Sequence, residues 1–366
     1  MLVDRTPQRI LAIKLADLGD LLLCEPAFRS LREAFPSARI DVLTTPSSIP
    51  ILDLIGHDLT PMTFPKHLFD APTGILHPAA AASAGKLALQ LRRANYDRVV
   101  IFHHLTTAFG ARKFAALVTA TGSAFVAGLD NGRGTFLTHR VIDEGFGARH
   151  EAEYMRDVAV AADGAVVDPL PTIATPSASD VTAGLPTNFA AIYPVTGAFS
   201  RAREWPLDRY VDLAERVLDR GVIPVVVGAD DTLEAAARIV EDVPGAVSMA
   251  GLTSIPQLAA ILAEARFVVG GDSFIGHLAA AVGTPVISIF GPSNANAWRP
   301  SGSADAGTAA AHQRGSIVIQ SDLPCAPCIY TGYRLGRPSG CPDRTCLKRI
   351  TVDDVDRVVA SFVGVA

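Results

Sequence analysis

Apolar runs alternate with segments of helical periodicity along the first half of the chain. Buried strands are predicted at residues 9–15, 38–43, 51–54, 62–64, 97–102, 125–129 and 140–142. Helices are predicted at residues 21–35, 79–94, 108–121 and 150–162, with Pro26 delaying or kinking the first of them. Because strands that alternate with helices form parallel sheets, this half predicts an α/β fold.

The same alternation restarts after a Pro-, Thr-, Ser- and Ala-rich stretch at residues 168–188, which has the composition of a linker. Strands are then predicted at residues 189–193, 223–227, 246–248, 267–269, 286–290 and 317–319. Helices are predicted at residues 207–220, 232–240, 255–263, 275–282 and 351–362. The pattern therefore indicates two doubly wound halves.

The segment 266–292 reads as strand, glycine turn, helix and strand, which is one βαβ unit with a right-handed crossover. Ligands of such sheets bind at the strand carboxyl ends, where helix N-termini direct free N–H groups at anions. Asp272, Ser273 and His277 fall at that place. The alternative interpretation is that Asp272 and Ser273 only cap the helix and that His277 is a packing residue.

Length and charge narrow the class of protein. A chain of 366 residues with 49% hydrophobic residues can bury two cores, and a net charge of −5 argues against a nucleic-acid partner. No apolar run approaches the roughly 18–20 residues of a membrane span, and the first seven residues do not read as a signal peptide, so we expect a cytoplasmic protein. The phosphate-binding P-loop, dinucleotide and serine-elbow motifs do not occur.

Two further places could carry chemistry. Asp20 follows Gly19 at the end of the first strand, where a carboxylate can accept a proton from a hydroxyl nucleophile; the alternative is a simple helix N-cap. The loop at 193–206 combines Thr, Gly and Ser with two arginines, and Arg203 could bind a diphosphate bidentately. The alternative interpretation is a solvent-exposed loop with surface arginines.

Four motifs in order resemble glycosyltransferase family 9, the heptosyltransferase family. They are the strand, Gly-Asp and proline-bearing helix at 9–28, R-E-W-P at 203–206, A-G-L-T-S-I-P-Q-L at 250–258, and the G-D-S-F-I-G-H segment with its following strand at 271–293. The last is the most specific, and together they span nearly the whole chain.

The resemblance implies a GT-B fold, in which two Rossmann-like domains face a central cleft. It implies an acceptor-binding domain at 1–175, a nucleotide-sugar-binding domain at 176–350 and a C-terminal helix at 351–366. The implied reaction is the inverting transfer of a heptose from ADP-heptose to a hydroxyl of a glycan such as lipopolysaccharide core. The alternatives are another donor or acceptor (capsule, natural product, protein glycan) within the family, or a nucleotide-sugar-binding module without catalysis.

The resemblance also assigns residues. Asp20 matches the family's proposed base, and Lys14 matches a basic residue beside it. The residues expected to bind the donor are Thr196, Gly197, Ser200, Arg203, Thr232, Glu234, Met249, Asp272, Ser273, Gly276 and His277. The chain departs from the family where a glutamate usually binds the ribose. Thr232 occupies that place, with Asp231 before it and Glu234 two residues after it, so the residue that binds the ribose is left open.

Four of the five cysteines lie in the segment 325–346, as Cys325, Cys328, Cys341 and Cys346. Their spacing fits tetrahedral thiolate ligation of a structural zinc or iron ion. Family members often carry similar cysteines, and some related heptosyltransferases use them for iron. The alternatives are reduced thiols in an irregular loop or a labile disulfide, and Cys24 reads as a small core residue. We expect no catalytic metal and no organic cofactor.

The expected partners are a nucleotide-sugar donor and a glycan or lipid-linked oligosaccharide acceptor, with peripheral contact at the inner membrane surface and no nucleic acid. Contacts to the acceptor are expected from the loops at 65–80 and 130–150. The sequence predicts no oligomeric state.

Overall fold

The computed structural model describes residues 6–65, 78–177, 179–197, 199–305 and 315–363. The chain divides into two compact units. The first comprises Met1–Gly145 and Glu151–Pro171, and the second comprises Phe146–His150 and Thr172–Ala366. Residues 66–77, which include most of one expected acceptor loop, lie outside the described residues.

The first unit alternates strands and helices. Its elements are β1 (Arg9–Ile13), α1 (Leu18–Leu22), α2 (Glu25–Ala34), β2 (Arg39–Thr44), α3 (Pro50–Ile55), β3 (Leu59–Thr63), α4 (Pro78–Ala94), β4 (Arg98–Ile101), α5 (Ala108–Thr121), β5 (Val126–Asp130), β6 (His139–Ile142) and α6 (Glu151–Ala161).

The strands of the described first unit form one six-stranded sheet in the order β3-β2-β1-β4-β5-β6. Every neighbouring pair is parallel. The strand order reverses direction between β1 and β4, which makes this the topological switch point of the sheet. Ligands of open α/β sheets bind at such a point, and the loops after β1 and β4 flank it. After an initial arginine, β1 and β4 are apolar throughout, because helices cover both faces of a parallel sheet.

Two sequence predictions in this unit were wrong in detail. The expected strand at 51–54 is the helix α3, which begins at Pro50 and ends before Gly56, whose φ is 76°. A proline in the first turn and a glycine after the last are helix boundary signals, and they outweigh the short apolar run. The expected helix at 21–35 is two helices, and Pro26 lies in the first turn of the second, α2.

The second unit repeats the layout. Its elements are α7 (Ser179–Thr182), β7 (Phe189–Tyr193), α8 (Leu207–Asp219), β8 (Ile223–Val226), α9 (Leu233–Asp242), β9 (Val247–Ser248), α10 (Ile255–Glu264), β10 (Val268–Gly271), α11 (Phe274–Ala281), β11 (Val286–Phe290), α12 (Ala295–Trp298), β12 (Ala304–Asp305), β13 (Ile317–Gln320), α13 (Thr345–Lys348) and α14 (Val352–Val363).

Its seven described strands are paired in the order β12-β13-β11-β10-β7-β8-β9, again all parallel. The switch point lies between β7 and β10. The predicted βαβ unit is present as β10, α11 and β11, and its strands are fully buried.

One buried tryptophan fixes the loop after β7. Trp205 is 2% exposed, its ring packs edge-on against Tyr210 at 5.0 Å, and its Nε1 donates to the carbonyl of Ile350 at 2.9 Å. A buried indole needs such a partner for its N–H. This anchor holds the loop between β7 and α8 at the carboxyl edge of the second sheet.

Across the described parts of the chain, no helix combines the length and the apolar character that crossing a membrane requires.

Candidate functional site

Lys14 and Asp20 meet at the carboxyl edge of the first sheet. Lys14 directly follows β1 and is 3% exposed, and its Nζ lies 3.6 Å from Oδ1 of Asp20. The N-cap of α1 is Asp17, and Asp20 lies in the first turn, so the simple N-cap interpretation of Asp20 is wrong. A carboxylate in a first helical turn is stabilised by the helix dipole. Asp20 nevertheless keeps 27% of its side chain exposed, enough to meet a reactant.

The surroundings of Asp20 favour a proton acceptor. Burial raises the pKa of its carboxyl, and the negative charges of Glu151 and Asp17 raise it further, against the opposing effect of Lys14. Burial alone would lower the pKa of Lys14, but Cys24, Asp20 and Glu151 outweigh it and raise that pKa. Lys14 is therefore charged at neutral pH, and Asp20 is a stronger base than an exposed aspartate.

A buried histidine with two carboxylate partners lies at the same sheet edge, and no sequence prediction assigned it a role. His104 follows β4; its Nδ1 is 2.9 Å from Oδ1 of Asp143, and its Nε2 is 3.0 Å from Oε1 of Glu151. The three side chains are at most 5% exposed. Despite the opposing effect of burial, Glu151 and Asp143 raise the pKa of His104 to about 9, so the ring is an imidazolium. The signal available in the sequence was the pair His103-His104 directly after a strand.

In the second unit, the loop after β7 is bound largely to itself and to the cysteine segment. Thr196 is 2% exposed, and its hydroxyl donates to the carbonyl of Ser200 at 3.0 Å. The Ser200 hydroxyl donates to the carbonyl of Pro338. Gly197 is exposed, and a Cβ there would meet no atom within 4 Å. Thr196 and Ser200 thus shape this loop, while Gly197 leaves its surface open to a ligand.

Arg203 and Asp272, from the loops after β7 and β10, form a buried ion pair. Nη1 of Arg203 lies 3.0 Å from Oδ2 of Asp272, and the side chains are 11% and 6% exposed. The Nε of Arg203 also donates to the carbonyl of Ser200 at 3.2 Å. Pairing fixes the guanidinium at the switch point of the second sheet, with a fork geometry suited to phosphate oxygens.

The helix α11 begins beside this pair. Its N-cap is Ser273, whose hydroxyl accepts from the N–H of Ile275 at 3.3 Å, as predicted. His277, one turn along, is 7% exposed, and its Nδ1 is buried with no hydrogen-bond partner among the described residues. Burial lowers the pKa of His277 to about 4, with further lowering by His150 and Arg203, so the ring is neutral. An orphaned buried nitrogen is costly, and a ligand at this edge would satisfy it.

Gly276 and Gly270 allow the close approach of Tyr193. A Cβ on Gly276 would lie 2.7 Å from the Tyr193 hydroxyl, and one on Gly270 would lie 2.4 Å from the same ring. Gly276 is predicted as a donor contact, but the close packing of Tyr193 alone already requires a glycine at this position.

The three candidates for the ribose contact differ in exposure. Thr232 is 3% exposed and lies over Gly228, where a Cβ would meet its hydroxyl at 2.2 Å. Asp231 and Glu234 are exposed and line a cavity of about 440 Å³ with cationic Arg344. Met249, which follows β9, is half-buried.

All four clustered cysteines line one cavity of about 150 Å³, and all are free thiols. Cys346 is buried and the other three are exposed. Burial raises the pKa of the Cys328 and Cys346 thiols. Among the residues that the structure describes, no group of three or more His, Cys, Asp or Glu side chains stands at metal-binding geometry.

Comparison with known proteins identifies the relatives of this chain. Lipopolysaccharide heptosyltransferase 1 of Pseudomonas aeruginosa is 27% identical over 331 residues, which cover 88% of this chain and 86% of the relative. The fold matches the Escherichia coli heptosyltransferase WaaC with ADP-2-deoxy-2-fluoro heptose, with a TM-score of 0.69, 20% identity and coverage of 96% and 99%. It also matches the iron-containing glycosyltransferase TibC of enterotoxigenic E. coli, with a TM-score of 0.57, 13% identity and coverage of 98% and 76%.

These likenesses confirm the predicted GT-B fold, which the solved heptosyltransferases share. The sequence model of the family described as glycosyltransferase family 9 (heptosyltransferase) matches residues 84–329, about two thirds of the chain. The chain therefore belongs to glycosyltransferase family 9 and is a glycosyltransferase.

Proposed function

We propose that this protein transfers a heptose, with inversion, from ADP-heptose to a hydroxyl of a glycan acceptor such as lipopolysaccharide core. The observation that carries the proposal is the arrangement at the edge of the second sheet. The buried guanidinium of Arg203, the N-terminus of α11 and the orphaned Nδ1 of His277 lie together there. This set suits a nucleoside diphosphate sugar, which brings anionic oxygens and sugar hydroxyls.

In this proposal the second unit binds the donor. Arg203 and the N-terminus of α11 stabilise the charge that develops on the departing diphosphate. Neutral His277 can both donate and accept a hydrogen bond, so it can orient a phosphate or a sugar hydroxyl. We assign the ribose contact to Asp231 or Glu234, because both line an open cavity, whereas Thr232 is buried.

The first unit, in turn, holds the acceptor and the base. The acceptor hydroxyl attacks the anomeric carbon as Asp20 takes its proton, and the bond to the diphosphate breaks with inversion. Lys14 fixes the carboxylate and stays protonated. These roles need no bound metal or organic cofactor. We further propose that the reaction takes place at the cytoplasmic face of the inner membrane, which the protein contacts peripherally, because the relative from Pseudomonas aeruginosa is a lipopolysaccharide heptosyltransferase.

The test is a transfer assay with the full chain. ADP-heptose is supplied with lipopolysaccharide core that lacks the terminal heptose, and both ADP release and the mass of the acceptor are measured. One heptose added per ADP released supports the proposal. Transfer from another nucleotide sugar, with ADP-heptose inert, would overturn the donor assignment; donor binding without transfer to any glycan would overturn the assignment of Asp20.

We also propose that the four clustered cysteines bind one structural zinc or iron ion. The four residues line one small cavity beside α13, and four thiolates suit either metal. TibC, a protein of the same fold, is described as iron-containing. Because burial raises the pKa of Cys328 and Cys346, binding must displace protons from them and should tighten as pH rises. In this proposal the ion draws the segment 325–346 together and fastens the terminal helix.

A further inference from the structure

The side chains behind Asp20 form a chain of alternating charge. In order they are Asp143, imidazolium His104, Glu151, Lys14 and Asp20. The outer end is firmly held, since Asp143 accepts from the Nδ2 of Asn131 at 2.9 Å and from the N–H of Gly145 at 2.8 Å. The carboxylate of Glu151 and the imidazolium are equally enclosed. Buried charges destabilise the folded state unless each is compensated by a partner. The presence of five such side chains in sequence therefore suggests a functional role.

His104 itself is closed to chemistry. Both of its ring nitrogens face carboxylates, and its side chain is only 5% exposed, so it can neither reach a reactant nor exchange a proton with one. What it does is hold Glu151, which is the first residue of α6 and 1% exposed. The Glu151 carboxylate is thereby fixed by a charged partner, and its charge acts on both Lys14 and Asp20.

Lys14 alone would weaken the base. An ammonium 3.6 Å from a carboxylate favours the charged form of that carboxylate and reduces its proton affinity. A second anion near the same ammonium offsets this effect. We propose that Glu151, fixed by His104, is a positioning residue that shares the charge of Lys14 and so keeps Asp20 basic enough to take the acceptor proton. This inference rests on the proposed function, in which Asp20 is the base.

The decisive variant is Glu151→Gln, which keeps the shape and an oxygen for His104 but removes the charge. The charged and titratable groups around Asp20 are Lys14, Glu151 and Asp17, with Cys24 beside them. Losing the Glu151 charge lowers the pKa of His104, and loss of the His104 proton would cancel part of the change in charge near Asp20. Below pH ~6.5 His104 stays protonated even with an ordinary pKa, so the charge removed at Glu151 is not offset there. We expect the acid limb of the kcat/KM profile to move to lower pH by at least about 0.5 unit, and the plateau to fall about tenfold. Affinity for ADP should not change.

Two companion variants separate charge from structure. Glu151→Asp keeps the charge and should restore the acid limb, even if Glu151→Gln folds poorly. Glu153→Gln removes a half-buried glutamate from the same helix and should leave the limb in place. The inference would be overturned if the acid limb of Glu151→Gln lay at the same pH as that of wild type. It would also be overturned if the acid limb of Glu151→Asp were shifted as far as that of Glu151→Gln.

A direct titration makes failure of this inference distinguishable from failure of the proposed function. The carboxyl carbon of Asp20, assigned by ¹³C NMR from its loss in Asp20→Asn, should titrate at lower pH in Glu151→Gln. If Asp20→Asn retains normal transfer, the base assignment is wrong, whatever the titration shows. If Asp20→Asn is inactive and the Asp20 resonance titrates identically with and without the Glu151 charge, only the positioning role is wrong.

Discussion

Replacing Arg203 by alanine tests the donor site most sharply. Its guanidinium is 11% exposed and is fixed by the carboxylate of Asp272 at 3.0 Å and by the carbonyl of Ser200. A hydrogen bond between charged groups contributes about 1.5–3 kcal/mol, so Arg203→Ala should weaken ADP binding roughly ten- to hundredfold. Asp272→Ala should also weaken it, because the guanidinium loses the partner that orients it.

The second unit also offers a matched control. Arg216, in the last turn of α8, is 40% exposed, and its Nη1 lies 2.6 Å from Oδ1 of Asp353. Because α8 connects two parallel strands, its last turn lies at the sheet edge opposite the strand carboxyl ends, so Arg216→Ala should change ADP affinity little. An exposed pair of this kind contributes at most about 1 kcal/mol, so the control should also keep its stability. Arg203→Lys, which keeps the charge but loses the fork, should lie between wild type and Arg203→Ala.

Stability must be measured in parallel. Arg203→Ala leaves the Asp272 carboxylate 6% exposed without its cation, and breaking a buried pair costs about 3–5 kcal/mol. Calorimetric titration with ADP and with adenosine, at a temperature where each variant is folded by circular dichroism, separates the two effects. Adenosine has no phosphate, so its affinity should be the same in wild type and Arg203→Ala. Unchanged ADP affinity in Arg203→Ala, or an equal loss in Arg216→Ala, would refute the diphosphate assignment.

Three other outcomes are expected. Asp20→Asn should lower turnover roughly 10²-fold while ADP affinity is unchanged, and near-normal turnover would rule out Asp20 as the base. Purified protein should carry about one zinc or iron per chain, and chelation should lower the thermal midpoint before donor affinity changes; no metal and four freely titratable thiols would exclude the ion. The pKa of His104 is raised from 6.5 to about 9, so its stabilisation is fully present below pH 6.5 and is lost as pH rises through 9. The difference in thermal midpoint between wild type and His104→Gln should therefore shrink across that window, and a constant difference would contradict the prediction.

The fold was readable from the sequence because the central strands are covered on both faces. Such strands are continuous apolar runs, and the glycine turn and serine cap mark the βαβ unit at 266–292 without ambiguity. The helix α3 was missed because a short apolar run fits a helix or a strand equally well.

The contacts of the site were less readable, since they join residues far apart in the chain. The partners of His104 lie 39 and 47 residues away, and the acceptor of the Ser200 hydroxyl lies 138 residues away. No local spacing predicts such pairs. The contact between Thr232 and Gly228 depends on how the chain turns after β8, which the residue types alone do not determine.

The bond from Ser200 to Pro338 has a consequence for how the second unit responds to ligands. The cysteine segment packs on the loop between β7 and α8, since a Cβ at Gly340 would lie 2.6 Å from that of Ala202, next to Arg203. Two ligands that order contacting segments are linked thermodynamically, and each changes the affinity of the other by the same factor. If the loop binds the donor and the cysteines bind an ion as proposed, the ion would lower the entropy that the donor must remove from the loop, and bound nucleotide would protect the cysteine segment in return.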